Sequence, residues 1–397
     1  MTSTQEVTPG NLSSLTGLRA VGMLFVFVAH GAAASVFADK GVAAGYNALI
    51  DNGVLGFLAV SFFFVLSGFV LTWSARPGAR RFWRRRLLRV FPNHLVVLVV
   101  SALTFVAAGE TIRLVPAVAN VFLVQNWWPD ADLMYYQLNG PTWTLSVELL
   151  CYAAFPLLYA LVNRIKPGRL WFWLAVVGLV ALAMPLLSEP FLAGYGPSKV
   201  FGVGSWPQQW FLYFFPITRS LEFVLGMILC KIIQTGRWVR VPVVVSALCV
   251  LGVYVVLYFL PQNFVFAALY PIPMALLIGS VATSDLAGRS RVMNSRLMVR
   301  LGDISFAFYI VHIPVLFSVH AAFAGEWVGY ANHYTRTQWN TPTGIAFLVG
   351  AYLLCVLAAW VLRTVVEIPA MRRWGGSRRR GTSGLSRPKA PGPQLQA

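Results

Sequence analysis

Residues 15–37, LTGLRAVGMLFVFVAHGAAASVF, form an apolar stretch long enough to cross a bilayer, and two ionisable side chains lie within it. These are Arg19 and His30, which stand eleven positions apart. At 100° per residue this separation is about 1100°, or about 20° past three full turns, so both side chains share one face of a helix. Ionisable groups are costly in hydrocarbon and usually line a site or a water-filled cavity. The stretch therefore predicts a membrane helix that carries part of a functional site.

The composition of the whole chain agrees with a membrane setting. Of its 397 residues, 58% are hydrophobic and only 11% are charged, whereas a soluble domain carries about 25% charged residues. The net charge of +18 could indicate a nucleic-acid partner, but the basic residues lie in short clusters between apolar runs, as membrane loops require. We therefore expect an all-α polytopic membrane protein and no nucleic-acid partner.

Ten apolar runs have about the length that crosses the hydrocarbon core. The predicted spans are 16–36, 54–73, 90–108, 143–162, 170–187, 211–234, 241–260, 264–282, 303–324 and 343–363. The loops between them alternate in charge, and those at 76–89, 164–169 and 289–300 belong to the strongly basic set. Because basic loops stay in the cytoplasm, the pattern predicts that both termini are cytoplasmic.

Three segments depart from this helical pattern. Residues 1–14 form a short N-terminal tail, and residues 372–397 form a basic tail, rich in Gly, Pro and Ser, that is predicted to be disordered. Segment 109–142 contains an apolar piece that is too short for a span, so we expect an outside loop with an interfacial or re-entrant helix. Residues 15–371 are predicted to form one transmembrane domain.

Further ionisable groups lie at membrane depth. Glu148 lies near the outer end of its span, at a depth similar to that of His30, so the two could form an acid–base pair if their helices adjoin. Arg219 and Glu222 are three residues apart, which indicates a local ion pair. His312 follows the tyrosine at position 309 by three residues and shares its face. Each of these groups could instead serve only in structural hydrogen bonds or ion pairs.

The arginine run RRFWRRRLLR at 80–89 and the four cysteines permit simpler explanations. The run could serve only to orient the adjoining helices. The cysteines all fall within spans at spacings that fit neither a zinc site nor a disulfide framework, so we expect no metal site.

Five stretches, taken in order, resemble the acyltransferase type 3 family of integral-membrane O-acyltransferases. They are SLTGLRAVGMLFVFVAHG, VSFFFVLSGFVL, FWRRRLLRVFP, WTLSVELLCYAAFPLL and the closing pair LGDISFAFYIVHIPV with VEIPAMRR. The resemblance covers roughly 12–373. Two positions depart from it: Ser61 stands where many members have Asp, and Leu149 where many have a second Glu.

The resemblance implies transfer of an acetyl or other short acyl group from acyl-coenzyme A to a hydroxyl of a sugar, glycan or macrolide-type acceptor. The short chain with a basic tail looks most like actinobacterial members that acylate sugars or macrolides. Acyl-coenzyme A would be a substrate, with no permanently bound cofactor. The domain at 15–371 would be the acyltransferase domain of a multi-pass protein of a bacterial plasma membrane.

Within this family each candidate residue gains a role. His30 would be the general base, since imidazole titrates near neutrality, and Glu148 would orient it and stabilise its charged form. The residues expected to bind acyl-coenzyme A are Arg19, Arg85, Arg86 and Arg89. The residues expected to bind the acceptor are Trp143, Tyr309 and His312.

Two other functional classes fit the same spans. A secondary transporter for a small anionic or lipophilic solute would also have intramembrane ionisable groups. A non-catalytic lipid-flipping or assembly protein would not need His30. A cytoplasmic arginine cluster coupled to His30 favours the acyltransferase, because a transporter needs no phosphate-binding group at that position.

Overall fold

The protein is all-α in a computed structural model, which describes residues 12–50, 54–75, 79–195, 205–266, 269–325 and 337–375. Eight helical segments are long and apolar enough to cross a membrane. The long helices are α1 Ser13–Ala33, α3 Val54–Trp73, α4 Ala79–Ala107, α7 Trp143–Arg164, α8 Leu170–Leu192, α10 Pro216–Gln234, α14 Arg296–Ala324 and α15 Thr341–Leu362. They lie at eight of the ten predicted positions.

Two shorter apolar helices occupy the other two positions, α11 Val243–Leu257 and α13 Pro271–Leu286. The predicted span at 264–282 begins seven residues too early, because Pro271 occupies the first position of α13 and Pro273 follows it. Proline has no N–H to donate, so it suits the first turn of a helix. The coarse prediction of a multi-pass helical protein is confirmed.

Short helices complete the described chain. They are α2 Lys40–Ile50, α5 Leu114–Val121, α6 Ala131–Tyr135, α9 Trp206–Gln209, α12 Gln262–Val265 and α16 Ile368–Trp374. Helix α5 lies in the predicted loop at 109–142 and buries Pro116, Ala117 and Asn120 while its leucine and valine side chains at 114 and 115 are exposed. An amphipathic helix of eight residues is too short to span a bilayer, so it agrees with an interfacial helix.

Close helix packing depends on glycine at two contacts. Helix α3 packs most extensively against α10, and α1 packs next most extensively against α14. A Cβ placed on Gly68 of α3 would lie 1.9 Å from the Phe223 carbonyl oxygen of α10. A Cβ placed on Gly302 of α14 would lie 1.7 Å from the Thr16 oxygen of α1. Small residues allow backbones to approach this closely in membranes. Gly68, the glycine of the VLSGF sequence in α3, therefore permits this close packing.

The domain boundaries remain a prediction. Helix α1 begins at Ser13, within the predicted tail, and α16 ends at Trp374, beyond the predicted boundary at 371. Most of both tails, 1–11 and 376–397, lies outside the described residues.

Candidate active site

A cavity of about 120 Å³ lies between α1, α3, α4, α7 and α14. Its charged and polar lining consists of Arg19, Ser67, Arg86, Arg89, Thr144, Glu148, Tyr152, Ser305 and Tyr309. Apolar side chains, most of them from α3 and including Val60, Phe63 and Leu71, complete the wall. The cavity thus has a cationic part and an apolar part.

The cavity carries a net positive charge, because three guanidinium groups and one carboxylate line it. Arg19 comes from α1, whereas Arg86 and Arg89 come from α4, where a spacing of three residues places them on one face. Helix α7 supplies Glu148, the one carboxylate among the lining residues. Guanidinium groups in a partly apolar cavity can bind an anionic group with charge-assisted hydrogen bonds.

Glu148 is held from within its own helix. The Tyr152 hydroxyl, one turn further along α7, donates a hydrogen bond to Oε1 of Glu148. The Arg86 guanidinium lies over the Tyr152 ring, 5.7 Å from its centroid, and over the Phe82 ring at 5.5 Å. The carboxylate, the phenol and the guanidinium therefore form one packed group on the cavity wall.

Arg89 has an anionic neighbour outside the cavity. Its Nε lies 4.0 Å from Oε1 of Glu367, and its guanidinium lies 5.7 Å from the centroid of the Phe306 ring. The Asn93 amide donates to the other Glu367 oxygen at 3.2 Å. These contacts fix the side of α4 that presents Arg89 to the cavity.

His30 lies in the last turn of α1 and forms a pair with His312 of α14. Nδ1 of His30 lies 2.9 Å from the Val26 carbonyl oxygen and 3.2 Å from Nε2 of His312. Nδ1 of His312 lies 2.7 Å from the Tyr309 carbonyl oxygen. His312 is fully buried, whereas His30 is half-buried.

These distances assign the tautomer of both rings. A carbonyl oxygen only accepts, so Nδ1 of each imidazole carries the proton. Nε2 of neutral His312 is then an acceptor, and the single Nδ1–H of His30 is shared between it and the Val26 carbonyl oxygen. Nε2 of His30 is left with a free lone pair and forms no hydrogen bond with any described residue. This arrangement suits a general base.

Tyr309 contacts both the cavity and the histidine pair. Its hydroxyl lines the cavity, donates to the Pro141 carbonyl at 3.0 Å and lies 3.1 Å from the Thr144 hydroxyl. Its own carbonyl binds His312. His30 and His312 are not among the residues that line this cavity.

The structure brings together most but not all of the residues predicted from the sequence. Arg19, Arg86, Arg89, Glu148 and Tyr309 line one cavity. Arg85, which was also expected to bind the donor, is exposed and lies outside that lining, although it stands only four residues before Arg89 on α4.

Trp143 also lies outside the lining, since it is buried behind Phe64, with ring centroids 6.3 Å apart. His30 and Glu148 form no hydrogen bond or ion pair with each other, because the carboxylate is bonded to Tyr152 and the imidazole to His312.

The predicted ion pair in α10 is confirmed and includes a third residue. Nη1 of Arg219 lies 3.0 Å from Oε1 of Glu222, and both side chains are buried. The Ser61 hydroxyl donates to Glu222 at 2.8 Å and accepts from Arg219 at 3.2 Å. The serine that departs from the family pattern thus joins α3 to this pair.

Sequence reasoning missed Tyr152, Thr144 and the partnership of His312 with His30. The first had a local signal, because Tyr152 follows Glu148 by four residues in a helix. The histidine pair had none, because it depends on the packing of α1 against α14 across 282 positions of sequence. Among the described residues, no group of three His, Cys, Asp or Glu side chains could hold a metal ion.

Known proteins resemble this chain over most of its length. The family model described as an acyltransferase domain matches residues 12–364. The acyltransferase MdmB of Streptomyces mycarofaciens is 38% identical over 377 residues, which cover 92% of this chain and 93% of MdmB. The O-acetyltransferase OatA of Staphylococcus aureus is 26% identical over 344 residues, 79% of this chain and 52% of OatA, so the chain spans about half of OatA. No solved structure matches this chain.

The family model covers far more than half of the chain, and the similarity to MdmB extends nearly from end to end. This favours the acyltransferase over the transporter and assembly-protein alternatives. The resemblance read from five sequence motifs is confirmed: this chain is a membrane acyltransferase and belongs to the acyltransferase type 3 family.

Proposed function

We propose that this enzyme moves an acetyl or other short acyl group from acyl-coenzyme A to a hydroxyl of a sugar, glycan or macrolide-type acceptor. The observation that carries the proposal is the cavity, in which three arginines face an apolar wall. Tyr309 joins this cavity to a histidine that has a free Nε2. The similarity to an O-acetyltransferase supports a hydroxyl as the acceptor.

The cationic part of the cavity suits the donor. Coenzyme A carries phosphates, and the guanidinium forks of Arg19, Arg86 and Arg89 can bind phosphate oxygens with paired hydrogen bonds. The apolar wall from α3 suits the uncharged arm and the acyl group. Arg85, which is exposed beside these arginines, would contribute only to the electrostatic potential that attracts the donor to the cavity.

His30 is the proposed base. Its Nε2 takes the proton of the acceptor hydroxyl while the hydroxyl oxygen attacks the thioester carbonyl carbon. The tetrahedral intermediate then collapses, the carbon–sulfur bond breaks, and the proton passes from His30 to the thiolate of coenzyme A. The products are the ester and free coenzyme A. Nε2 of His312 and the Val26 carbonyl stabilise the charged imidazolium by accepting its Nδ1–H.

Glu148 would act from the cavity side. Bonded to Tyr152 and near the three arginines, it holds the phenol and balances part of the positive charge when the donor is absent. Glu148 therefore assists the reaction by helping to position the donor, and it forms no direct hydrogen bond with His30. Trp143 supports the same wall from behind, through Phe64.

Tyr309 lines the cavity and its ring centroid lies 5.7 Å from that of the His312 ring, so we expect the thioester to pass this side chain on its way to His30. A rotation of Tyr309 that breaks its bonds to Pro141 and Thr144 would join the cavity to the histidine pair. Tyr309 and His312 would then lie where donor and acceptor meet. Arg19 and His30 stand about 16 Å apart along α1, so the donor would extend along this helix.

We also propose ten membrane crossings with both termini in the cytoplasm of a bacterium, in the plasma membrane. The basic loops at 76–89, 164–169 and 289–300 support this orientation. Arg86 and Arg89 would then lie on the cytoplasmic side, where acyl-coenzyme A is available.

The proposal is tested with purified protein in proteoliposomes and acetyl-coenzyme A. Free thiol should appear at a rate that depends on an added hydroxylated acceptor drawn from a set of sugars, peptidoglycan fragments and macrolides. Coenzyme A alone should raise the melting temperature, because it binds the folded state. Absence of this stabilisation, together with no thiol release with any acceptor, would refute the proposed donor.

A further inference from the structure

Three of the helices that carry the site contain an internal proline: Pro92 in α4, Pro156 in α7 and Pro314 in α14. The prolines of α7 and α14 each open a turn that contains a residue of the site. Proline has no N–H, so the carbonyl four residues earlier loses its helical donor. Pro156 deprives the Tyr152 carbonyl of its donor in this way, and Pro314 deprives the Ile310 carbonyl. A carbonyl at membrane depth needs another donor, because no bulk water reaches it.

In both cases a side chain from a different segment supplies that donor. Nε1 of Trp83 donates to the Tyr152 carbonyl at 3.0 Å. Nδ2 of Asn139 donates to the Ile310 carbonyl at 2.8 Å. Each bond therefore ties a second segment of the chain to the turn that the proline has opened.

The bond from Asn139 lies next to the histidine pair of the site, His30 and His312. Ile310 lies between Tyr309 and His312 in one turn of α14, and the Tyr309 hydroxyl binds Pro141, two residues after Asn139. Two hydrogen bonds thus connect 139–141 to the turn that orients His312.

Asn139 is itself firmly held. It is buried, its backbone N–H donates to Oδ1 of Asn120 at 3.2 Å, and its carbonyl accepts from the Thr142 hydroxyl at 2.6 Å. The Asn120 amide also donates to the Thr142 hydroxyl at 2.7 Å. The outer loop therefore offers a rigid anchor to α14 and not a flexible contact.

The bond from Trp83 lies next to the arginine group of the site, in which Arg86 packs on Tyr152 beside Glu148. Trp83 precedes Arg86 by three residues on α4, and its acceptor Tyr152 holds Glu148. The Arg86 guanidinium also lies over the Tyr152 ring. The indole therefore fixes the arginine-bearing end of α4 against α7.

We infer that Asn139 and Trp83 are positioning residues, Asn139 for the histidine pair and Trp83 for the arginine group. Each supplies the hydrogen bond that a proline removes. Asn139 thereby fixes the position of His312 and, through it, of His30, whereas Trp83 fixes the position of Arg86 relative to Glu148. The assignment of the histidine pair to chemistry and of the arginine group to donor binding rests on the proposed function. The loop that contains Asn139 would thus contribute to catalysis without contacting the substrate.

The first test separates kcat from KM. Asn139→Ala should lower kcat by about tenfold or more, since misplacing a reacting group is costly, while KM for acetyl-coenzyme A changes little. Trp83→Phe should instead raise KM for acetyl-coenzyme A severalfold with little change in kcat. Matched controls are Asn163→Ala and Trp360→Phe, both at exposed positions, which should change neither. Identical effects of the two variants on kcat and KM would overturn the division of roles.

The second test restores the missing donor. In Pro314→Ala, residue 314 regains an N–H for the Ile310 carbonyl, so Asn139→Ala should cost far less there than in the wild-type background. Pro156→Ala should relieve Trp83→Phe in the same way. A packing role for either side chain would not be rescued, so equal losses in both backgrounds would overturn the inference.

Melting temperatures of the same four-variant sets in detergent provide a readout that needs no catalysis. Destabilisation by Asn139→Ala that disappears in the Pro314→Ala background supports the anchoring bond, and unrelieved destabilisation overturns it. If the wild type neither binds coenzyme A nor releases thiol, the proposed function fails, whereas loss of rescue in an active, coenzyme-binding protein counts against the positioning residues alone.

Discussion

Nε2 of His312 lies 3.2 Å from Nδ1 of His30, and the two rings meet edge to face with centroids 4.9 Å apart. The contact joins the last turn of α1 to the middle of α14. Because the Tyr309 carbonyl fixes the proton on Nδ1 of His312, the remaining nitrogen can only accept. Together with the Val26 carbonyl, His312 thus keeps the proton of His30 on Nδ1 and leaves the lone pair on Nε2. The sequence had suggested Glu148 for this orienting role.

This contact predicts that different substitutions at position 312 lower kcat to different degrees. His312→Ala should lower kcat by less than His30→Ala does, because the base remains but loses its orienting partner. His312→Gln should recover part of the loss, since its amide oxygen can accept the Nδ1–H of His30. Steady-state kinetics with acetyl-coenzyme A measures both variants. Equal activity of the Ala and Gln variants, at the wild-type level, would exclude the positioning role.

The cavity lining predicts unequal effects within the arginine run. Arg86→Ala and Arg89→Ala should each weaken coenzyme A binding by about tenfold or more, since a hydrogen bond to a charged group contributes about 1.5–3 kcal/mol. Arg85→Ala changes the same charge on the same helix, but Arg85 is exposed and lies outside the lining, so a smaller effect is expected. Titration of purified variants with coenzyme A decides the point. A larger effect at Arg85 than at Arg86 would show that the donor binds outside this cavity.

Position and type of the long helices could be predicted from the sequence because each apolar run satisfies its own backbone hydrogen bonds. The ion pair of Arg219 and Glu222 could also be predicted, because residues three apart on one helix are neighbours on its surface. The start of α13 could also have been read from Pro271.

The arrangement of helices was not predictable, because it depends on packing between distant segments. His30 and Glu148 were expected at a similar depth, but α1 packs on α14 and α3, so the imidazole meets His312 and not the carboxylate. Arg85 and Arg86 are neighbours in the sequence, and only the rotation of α4 against α7 decides which of them lines the cavity.

Gly302 provides a test of the packing that brings the histidines together. A methyl group at this position would meet the Thr16 carbonyl at 1.7 Å, so Gly302→Ala should push α14 away from α1. Overpacking of this kind costs about 1–3 kcal/mol, and we expect a lower melting temperature together with a lower kcat. Gly350→Ala is the matched control, because nothing lies within 4 Å of the added Cβ. If Gly302→Ala behaved like Gly350→Ala, the close contact between α1 and α14 would be refuted.

The buried pair in α10 predicts a purely structural phenotype. Glu222→Leu leaves the Arg219 guanidinium unpaired in the interior and should destabilise the protein by about 3–5 kcal/mol. Arg219→Met combined with Glu222→Leu should recover much of this loss, because no unpaired charge remains. Thermal unfolding in detergent measures both variants. A double variant as unstable as Glu222→Leu would argue against this explanation.

The central claim is that His30 removes the proton from the acceptor hydroxyl. The most direct measurement is the acceptor-dependent release of coenzyme A from acetyl-coenzyme A by His30→Ala, in protein that still binds coenzyme A like the wild type. General base catalysis contributes about 10²–10⁴-fold, so the variant should retain at most about a hundredth of wild-type turnover. A variant that retained more than about a tenth would contradict the assignment, since the reaction would then proceed without this base.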